Sequence, residues 1–366
     1  MLYFRKYYNI TLIGQTNSAK FYEHTGQYCN RESEKMVSLQ QEEVVKAYTS
    51  MRLIRAFEEL VVQLVNSNEI AGVTHEYIGE EAVAVGVCAA LEADDVLTST
   101  HRGHGHLLAR GADPAKMLAE LLGRETGLNR GRGGSMHIAD VSLGIYGANG
   151  IVGAGVPFAL GAAATPTESG KTRVAVAFFG DGALNQGVLL ESFNLAAAWN
   201  LPVIFCCENN GYAVTTPLAK SMPVTPVERA AGFGIPGQEV DGMDVIAVAE
   251  AARLAVDHAR SGKGPYFLDC KTYRLVGHHT AERTMNLTYR TQDEIESWAT
   301  RDPLLVATEH ARHAGIPSAR FEAADAEVRE RLASSLDIAR EGAVPKAESA
   351  LDYSYSSPIP MRWGRA

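Results

Sequence analysis

Two short polar clusters in this 366-residue chain have the residue types of a phosphate and cation site. The first, Gly180-Asp181-Gly182, ends the continuous apolar run from Arg173 to Phe179. Glycines let backbone amides approach phosphate oxygens, the helix that follows presents its electropositive end, and an aspartate can hold a hard cation. The second, Glu208-Asn209-Asn210-Gly211-Tyr212, closes the apolar run from Val203 to Cys207 and offers an amide oxygen and bare carbonyls. Gly-Asp-Gly alone is a common strand-to-helix turn. Two such clusters on neighbouring strands are more specific, because the strand ends of one βαβ unit converge on one crevice. Magnesium fits it, since it takes oxygen ligands and shares them with phosphates. Titratable side chains also stand at His75, in His101-Arg102-Gly103-His104-Gly105-His106 and at His278-His279, although a lone histidine is more often structural. An arginine suits an anion, and histidine is the side chain whose ordinary pKa lies nearest neutrality.

These residues need a frame. The runs from Arg173 to Phe179 and Val203 to Cys207 read as strands buried on both faces, and residues 185 to 200 between them are helix-forming. That is a βαβ unit with a right-handed crossover and a parallel sheet. A third run, Tyr266 to Tyr273, follows a helical segment at 244 to 260. The fold class is therefore α/β, a doubly wound, mostly parallel sheet flanked by helices. Ahead of it, Ser38 and Gln41 resemble a capping box, followed by Leu53, Phe57, Leu60, Val61 and Leu64 at helical spacing. Residues 80 to 91 are small and apolar all round, as in a buried helix. Glycines every few residues from Gly123 to Gly161, interleaved with apolar residues, suit backbone wrapped against a ligand. The expected organisation is an N-terminal arm at 1–37, a cofactor domain at 38–343 whose part from about 291 is helical, and a tail at 344–366.

Composition narrows the function. Hydrophobic residues at 46% and charged residues at 21% describe an ordinary globular protein. A net charge of -9 argues against nucleic acid as a partner, because such binders neutralise phosphates with basic surface. Cys29, Cys88, Cys206, Cys207 and Cys270 contain no CxxC pair, so neither a disulfide framework nor a zinc site is expected. Cys206 and Cys207, adjacent in a strand, should point to opposite faces of the core. With no apolar run of roughly 18 residues and no signal-peptide core, the expected protein is soluble, cytoplasmic and free of the membrane. A nicotinamide enzyme would want Gly-x-Gly-x-x-Gly after an early strand, and no such motif opens this sheet.

From Gly180-Asp181-Gly182 through Asn209-Asn210 the chain resembles the thiamine diphosphate motif. Four further stretches are similar to the alpha subunits of two-chain 2-oxo-acid dehydrogenases: Thr100 to Gly105, Gly133-Gly134-Ser135-Met136-His137, Gly147 to Gly153, and Tyr273-Arg274 through Gly277-His278. The resemblance spans roughly residues 40 to 335. It implies magnesium on Asp181, Asn210 and the backbone of Tyr212. It implies thiamine diphosphate held by Arg102, His278 and the backbone of Gly182 and Ala183, with Gly150 and Val152 at the aminopyrimidine ring. His101 stands in the cofactor group where pyruvate dehydrogenases usually have a tyrosine. The run His101 to His106 is instead similar to acetoin dehydrogenase alpha subunits. His75 matches a family histidine near the reacting carbon and His278 a second one, on a loop that orders over the cofactor; these two are the catalytic candidates. His279 replaces the phosphorylated serine of animal pyruvate dehydrogenases.

The implied activity is cleavage of acetoin, or decarboxylation of a 2-oxo acid, with transfer of the acyl fragment to a lipoyl group. The alternatives are a pyruvate or branched-chain 2-oxo-acid dehydrogenase specifically and, more remotely, a scaffold subunit that has lost the cofactor. The implied partners are a beta subunit, which supplies the glutamate at the aminopyrimidine in an alpha-two beta-two assembly, and the lipoyl domain of an acyltransferase core.

Overall fold

A computed structural model describes residues 19–167, 170, 172–285 and 287–352. The described residues fall into two units, one up to Glu43 and one from Val44 onward. The first unit is helical over its described part, within α1 (Ala19–Asn66). The second opens on the remainder of α1 and continues through α2 (Glu81–Ala89), β1 (Val96–Thr98), α3 (Gly103–Ala109), α4 (Pro114–Leu121) and α5 (Gly155–Ala164). Then come β2 (Ala175–Gly180), α6 (Gly187–Ala198), β3 (Val203–Asn209) and a two-stranded ribbon, β4 (Tyr212–Ala213) with β5 (Thr216–Pro217). Next are α7 (Leu218–Ser221), α8 (Pro226–Ala231), β6 (Gly237–Asp241), α9 (Val245–His258) and β7 (Tyr266–Lys271). The helices α10 (Gln292–Ala299), α11 (Pro303–His313) and α12 (Ser318–Glu341) close the described chain before a short 3₁₀ turn, Ala347–Leu351.

Five strands form one parallel sheet in the order β1-β2-β3-β7-β6. Both faces are buried, so the central strands alternate between two cores. Val176, Phe178, Ile204, Cys206 and Leu268 face the core built with α1, α2 and α9. Ala175, Ala177, Phe179, Phe205 and Cys207 face the one built with α5 and α6. The adjacent cysteines do point to opposite faces, and burial raises both thiols well above their ordinary value. Every residue of α2 from Glu81 to Cys88 is buried, as its all-round small, apolar character requires.

Two boundaries differ from expectation. Ser38 and Gln41 do not cap a helix, because α1 runs through both positions. The stretch from Ala19 holds no proline to stop it, and its one glycine, Gly26, costs only about 1 kcal/mol in a helix. The boundary expected at residue 37 consequently falls inside α1, while the two units divide at Glu43. The other expected boundary, at 343, falls just past the end of α12, and the tail from residue 353 lies outside the described residues. Among the described residues no helix is long and apolar enough to cross a membrane.

Candidate active site

β2 and β3 run side by side with Gly180 paired to Glu208, so both polar clusters emerge at the same carboxyl edge of the sheet. Beside them lies a cavity of about 330 Å³. The eleven residues expected to hold the cofactor or metal or to act in catalysis all line it: His75, His101, Arg102, Gly150, Val152, Asp181, Gly182, Ala183, Asn210, Tyr212 and His278.

The cation end is built from the strand termini. Asp181 opens a 3₁₀ turn directly after β2 and is 1% exposed, with Oδ2 lacking any hydrogen-bond partner. Burial pushes its pKa up to about 6 against the opposing pull of Arg274 and of backbone amides. A buried, unpartnered carboxylate oxygen is costly unless something electropositive completes it. Asn210 donates Nδ2–H to Glu80 Oε1 at 2.9 Å and accepts the Tyr212 N–H on Oδ1 at 3.2 Å. The Tyr212 hydroxyl is held away, donating to Glu294 on α10. The β4 ribbon packs on the Asp181 turn so closely that a Cβ at Gly182 would lie 2.8 Å from the Ala213 Cβ. This donor set fits a hard cation, and the adjacent glycine backbone fits an anion that shares it.

The histidine end depends on two loops clasped together. Segment 74–79 runs along segment 272–280, with Leu275 N–H donating to Ile78 O at 3.1 Å and Thr280 N–H to Thr74 O at 2.9 Å. Gly79 makes this possible: its φ is 101°, and a Cβ there would overlap the Tyr273 carbonyl. The clasp brings His75 within 5.0 Å of His278 and 4.8 Å of His101, centroid to centroid. Arg102 ties the group down, donating to Glu76 O and His278 O at 2.8 Å and to His278 Nδ1 at 2.9 Å. Because the guanidinium only donates, His278 Nδ1 accepts and its Nε2 carries the proton. Burial first, and then the Arg102 charge, lower His75 to about 3 and His101 and His278 to about 2. All three imidazoles are neutral at pH 7.

Four further residues complete the site: Glu208 and Arg274 stand in stretches noted from the sequence without a role of their own, and Glu80 and Val214 were not singled out. Glu80, buried, reaches both Asn210 and Arg102. Glu208 lines the cavity and accepts from His106 Nε2–H at 2.9 Å and from the Tyr77 hydroxyl. Val214 lines the cavity with φ 55°, which is rare for a β-branched residue. Arg274 holds the Val214 carbonyl at 2.8 Å, and its Nε and Nη1 are buried without partners. The positive φ belongs to a non-glycine residue, so nothing in the local pattern flags it. His104 and His106, by contrast, are interior. His104 donates Nδ1–H to Glu58 at 3.0 Å, and His106 Nδ1 accepts from Ser99 at 2.8 Å.

Residues 49–348 match the model of the family described as the dehydrogenase E1 component. The chain is 49% identical over 259 residues to the alpha subunit of acetoin:2,6-dichlorophenolindophenol oxidoreductase from Bacillus subtilis (strain 168), covering 70% of this chain and 77% of that one. It is 44% identical over 322 residues to the subunit of the same name from Cupriavidus necator, covering 87% and 96%. To the alpha subunit of the pyruvate dehydrogenase E1 component from Zymomonas mobilis it is 43% identical over 311 residues, covering 84% and 87%. The chain belongs to the dehydrogenase E1 component family, the thiamine-diphosphate-dependent group that its motifs resemble.

Proposed function

We propose that this chain is the alpha subunit of a dehydrogenase that cleaves acetoin, or decarboxylates a small 2-oxo acid, and passes the acyl fragment to a lipoyl group. The observation that carries the reading is convergence: residues from six separated stretches line one cavity, at whose wall stands a buried carboxylate oxygen without a partner. Asp181, Asn210 and the carbonyl of Tyr212 would hold magnesium. Arg102, His278 and the backbone of Gly182 and Ala183 would hold the diphosphate, with His101 beside them and Gly150 and Val152 along the aminopyrimidine. When bound, thiamine diphosphate supplies a carbanion that adds to a carbonyl and an electron sink for carbon-carbon cleavage.

The chain's own residues do the rest. Neutral His75 and His101 can hydrogen-bond a substrate hydroxyl or a developing alkoxide with no charge already on the ring. His278, with Nε2–H, is set to donate. Arg102, fixed by two carbonyls, is preorganised for an anion. A beta subunit would close the cavity and add the aminopyrimidine glutamate, and a lipoyl domain would take the product. The cytoplasm, as expected from the sequence, would be the setting. His101, standing where pyruvate dehydrogenases usually have tyrosine, favours acetoin; similarity to a pyruvate dehydrogenase alpha subunit supports the second substrate class.

Calorimetric titration of thiamine diphosphate into the chain assembled with its beta subunit tests the reading. Binding should require magnesium and fall at least tenfold in Asp181→Asn. Equal binding by parent and variant, or binding indifferent to magnesium, contradicts it.

A further inference from the structure

We infer that Glu80 is a positioning residue that fixes which end of the Asn210 carboxamide faces the cation. The inference rests on the cofactor reading above. Glu80 immediately precedes α2 and is 1% exposed. Its Oε1 accepts Asn210 Nδ2–H at 2.9 Å. A carboxylate only accepts, whereas a carboxamide has one donating and one accepting end. With Nδ2 committed to Glu80, Oδ1 must face the opposite side, where the Tyr212 N–H meets it at 3.2 Å. That is the end a hard cation can use. A flipped amide would set Oδ1 against the Glu80 carboxylate and turn an NH₂ toward the cation, so the wrong state is disfavoured at both ends.

Glu80 is itself held. Its second oxygen, Oε2, is buried without a hydrogen-bond partner and lies 3.7 Å from Arg102 Nε. Arg102 is in turn anchored by the carbonyls of Glu76 and His278, both at 2.8 Å. Orientation is thus passed along contacting side chains, from Arg102 to Glu80 to Asn210. Partners one step removed from a metal typically change its affinity roughly 10- to 100-fold when lost, because they fix the ligand's direction.

Mn²⁺, an EPR-visible substitute for magnesium, gives a readout apart from turnover. The chain assembled with its beta subunit and saturated with thiamine diphosphate would be titrated as parent, Glu80→Gln and Glu80→Ala. Glutamine keeps an acceptor for Asn210, so Glu80→Gln should bind Mn²⁺ within about threefold of the parent, and Glu80→Ala roughly 10- to 100-fold more weakly. A folded Glu80→Ala with parental affinity overturns the inference. So does a tenfold loss in Glu80→Gln, which stands as the test even if the alanine variant does not fold. A parent that binds neither Mn²⁺ nor the cofactor overturns the cofactor reading beneath it.

Discussion

His75, His101 and His278 are held far below the ordinary histidine pKa of about 6.5 by burial and by Arg102. A depressed histidine takes up its proton in the unfolded chain before the folded one, so its contribution to stability is complete above about pH 6.5. It is lost as pH falls toward 3. Burial raises Glu80 and Asp181, the latter to about 6, and these act with the opposite sign, so the parent's pH profile mixes both. The clean comparison is a variant against its parent. Replacing His101 by phenylalanine should shrink the drop in thermal midpoint between pH 7 and pH 5, as followed by circular dichroism. An unchanged drop would mean that His101 is not buried neutral. At this scale the candidate site was legible in part: Asp181 and Asn210 stand out by type and spacing, while Arg102, His75, His101 and His278 were reached only through the family resemblance. Glu80 and Arg274 do not stand out, because each acts through a contact more than a hundred positions away or through buried donors that no short pattern marks.

Among the elements, the strands buried on both faces were readable from apolar runs, and β2, β3 and β7 stand where those runs predict. β1 and β6 were not. β1 has only three residues, and β6 is Gly-Gln-Glu-Val-Asp at the sheet edge with one buried side chain, so neither carries a pattern above the background. The clasp between segments 74–79 and 272–280 was equally hidden, because backbone pairing outside the sheet leaves no periodicity. It yields a prediction at this scale. Gly79→Ala would force a side chain into a left-handed backbone and into the Tyr273 carbonyl. A loss of roughly 2–3 kcal/mol is expected, read as a lower urea midpoint at unchanged slope. Because the clasp sets the distance between His75 and His278, turnover should fall more than stability. A variant within about 0.5 kcal/mol of the parent would show that the loops are not held together at Gly79.

For the molecule as a whole, topology explains why distant motifs meet. A parallel sheet sends every strand's carboxyl end to one edge, and crossover helices return the chain to the other, so residues far apart in sequence share one crevice. The acidic balance of -9 and the buried, reduced cysteines Cys88, Cys206, Cys207 and Cys270 are features of the scaffold and not of the reaction. What the whole chain does is tested most directly by dye-acceptor reduction. The chain would be co-expressed with its beta subunit and supplied with thiamine diphosphate, magnesium and, in turn, acetoin, pyruvate and branched 2-oxo acids. Turnover that requires the cofactor, prefers acetoin and disappears in Asp181→Asn is the predicted result. An assembled pair that turns over none of these substrates and retains no thiamine diphosphate would contradict the proposed function.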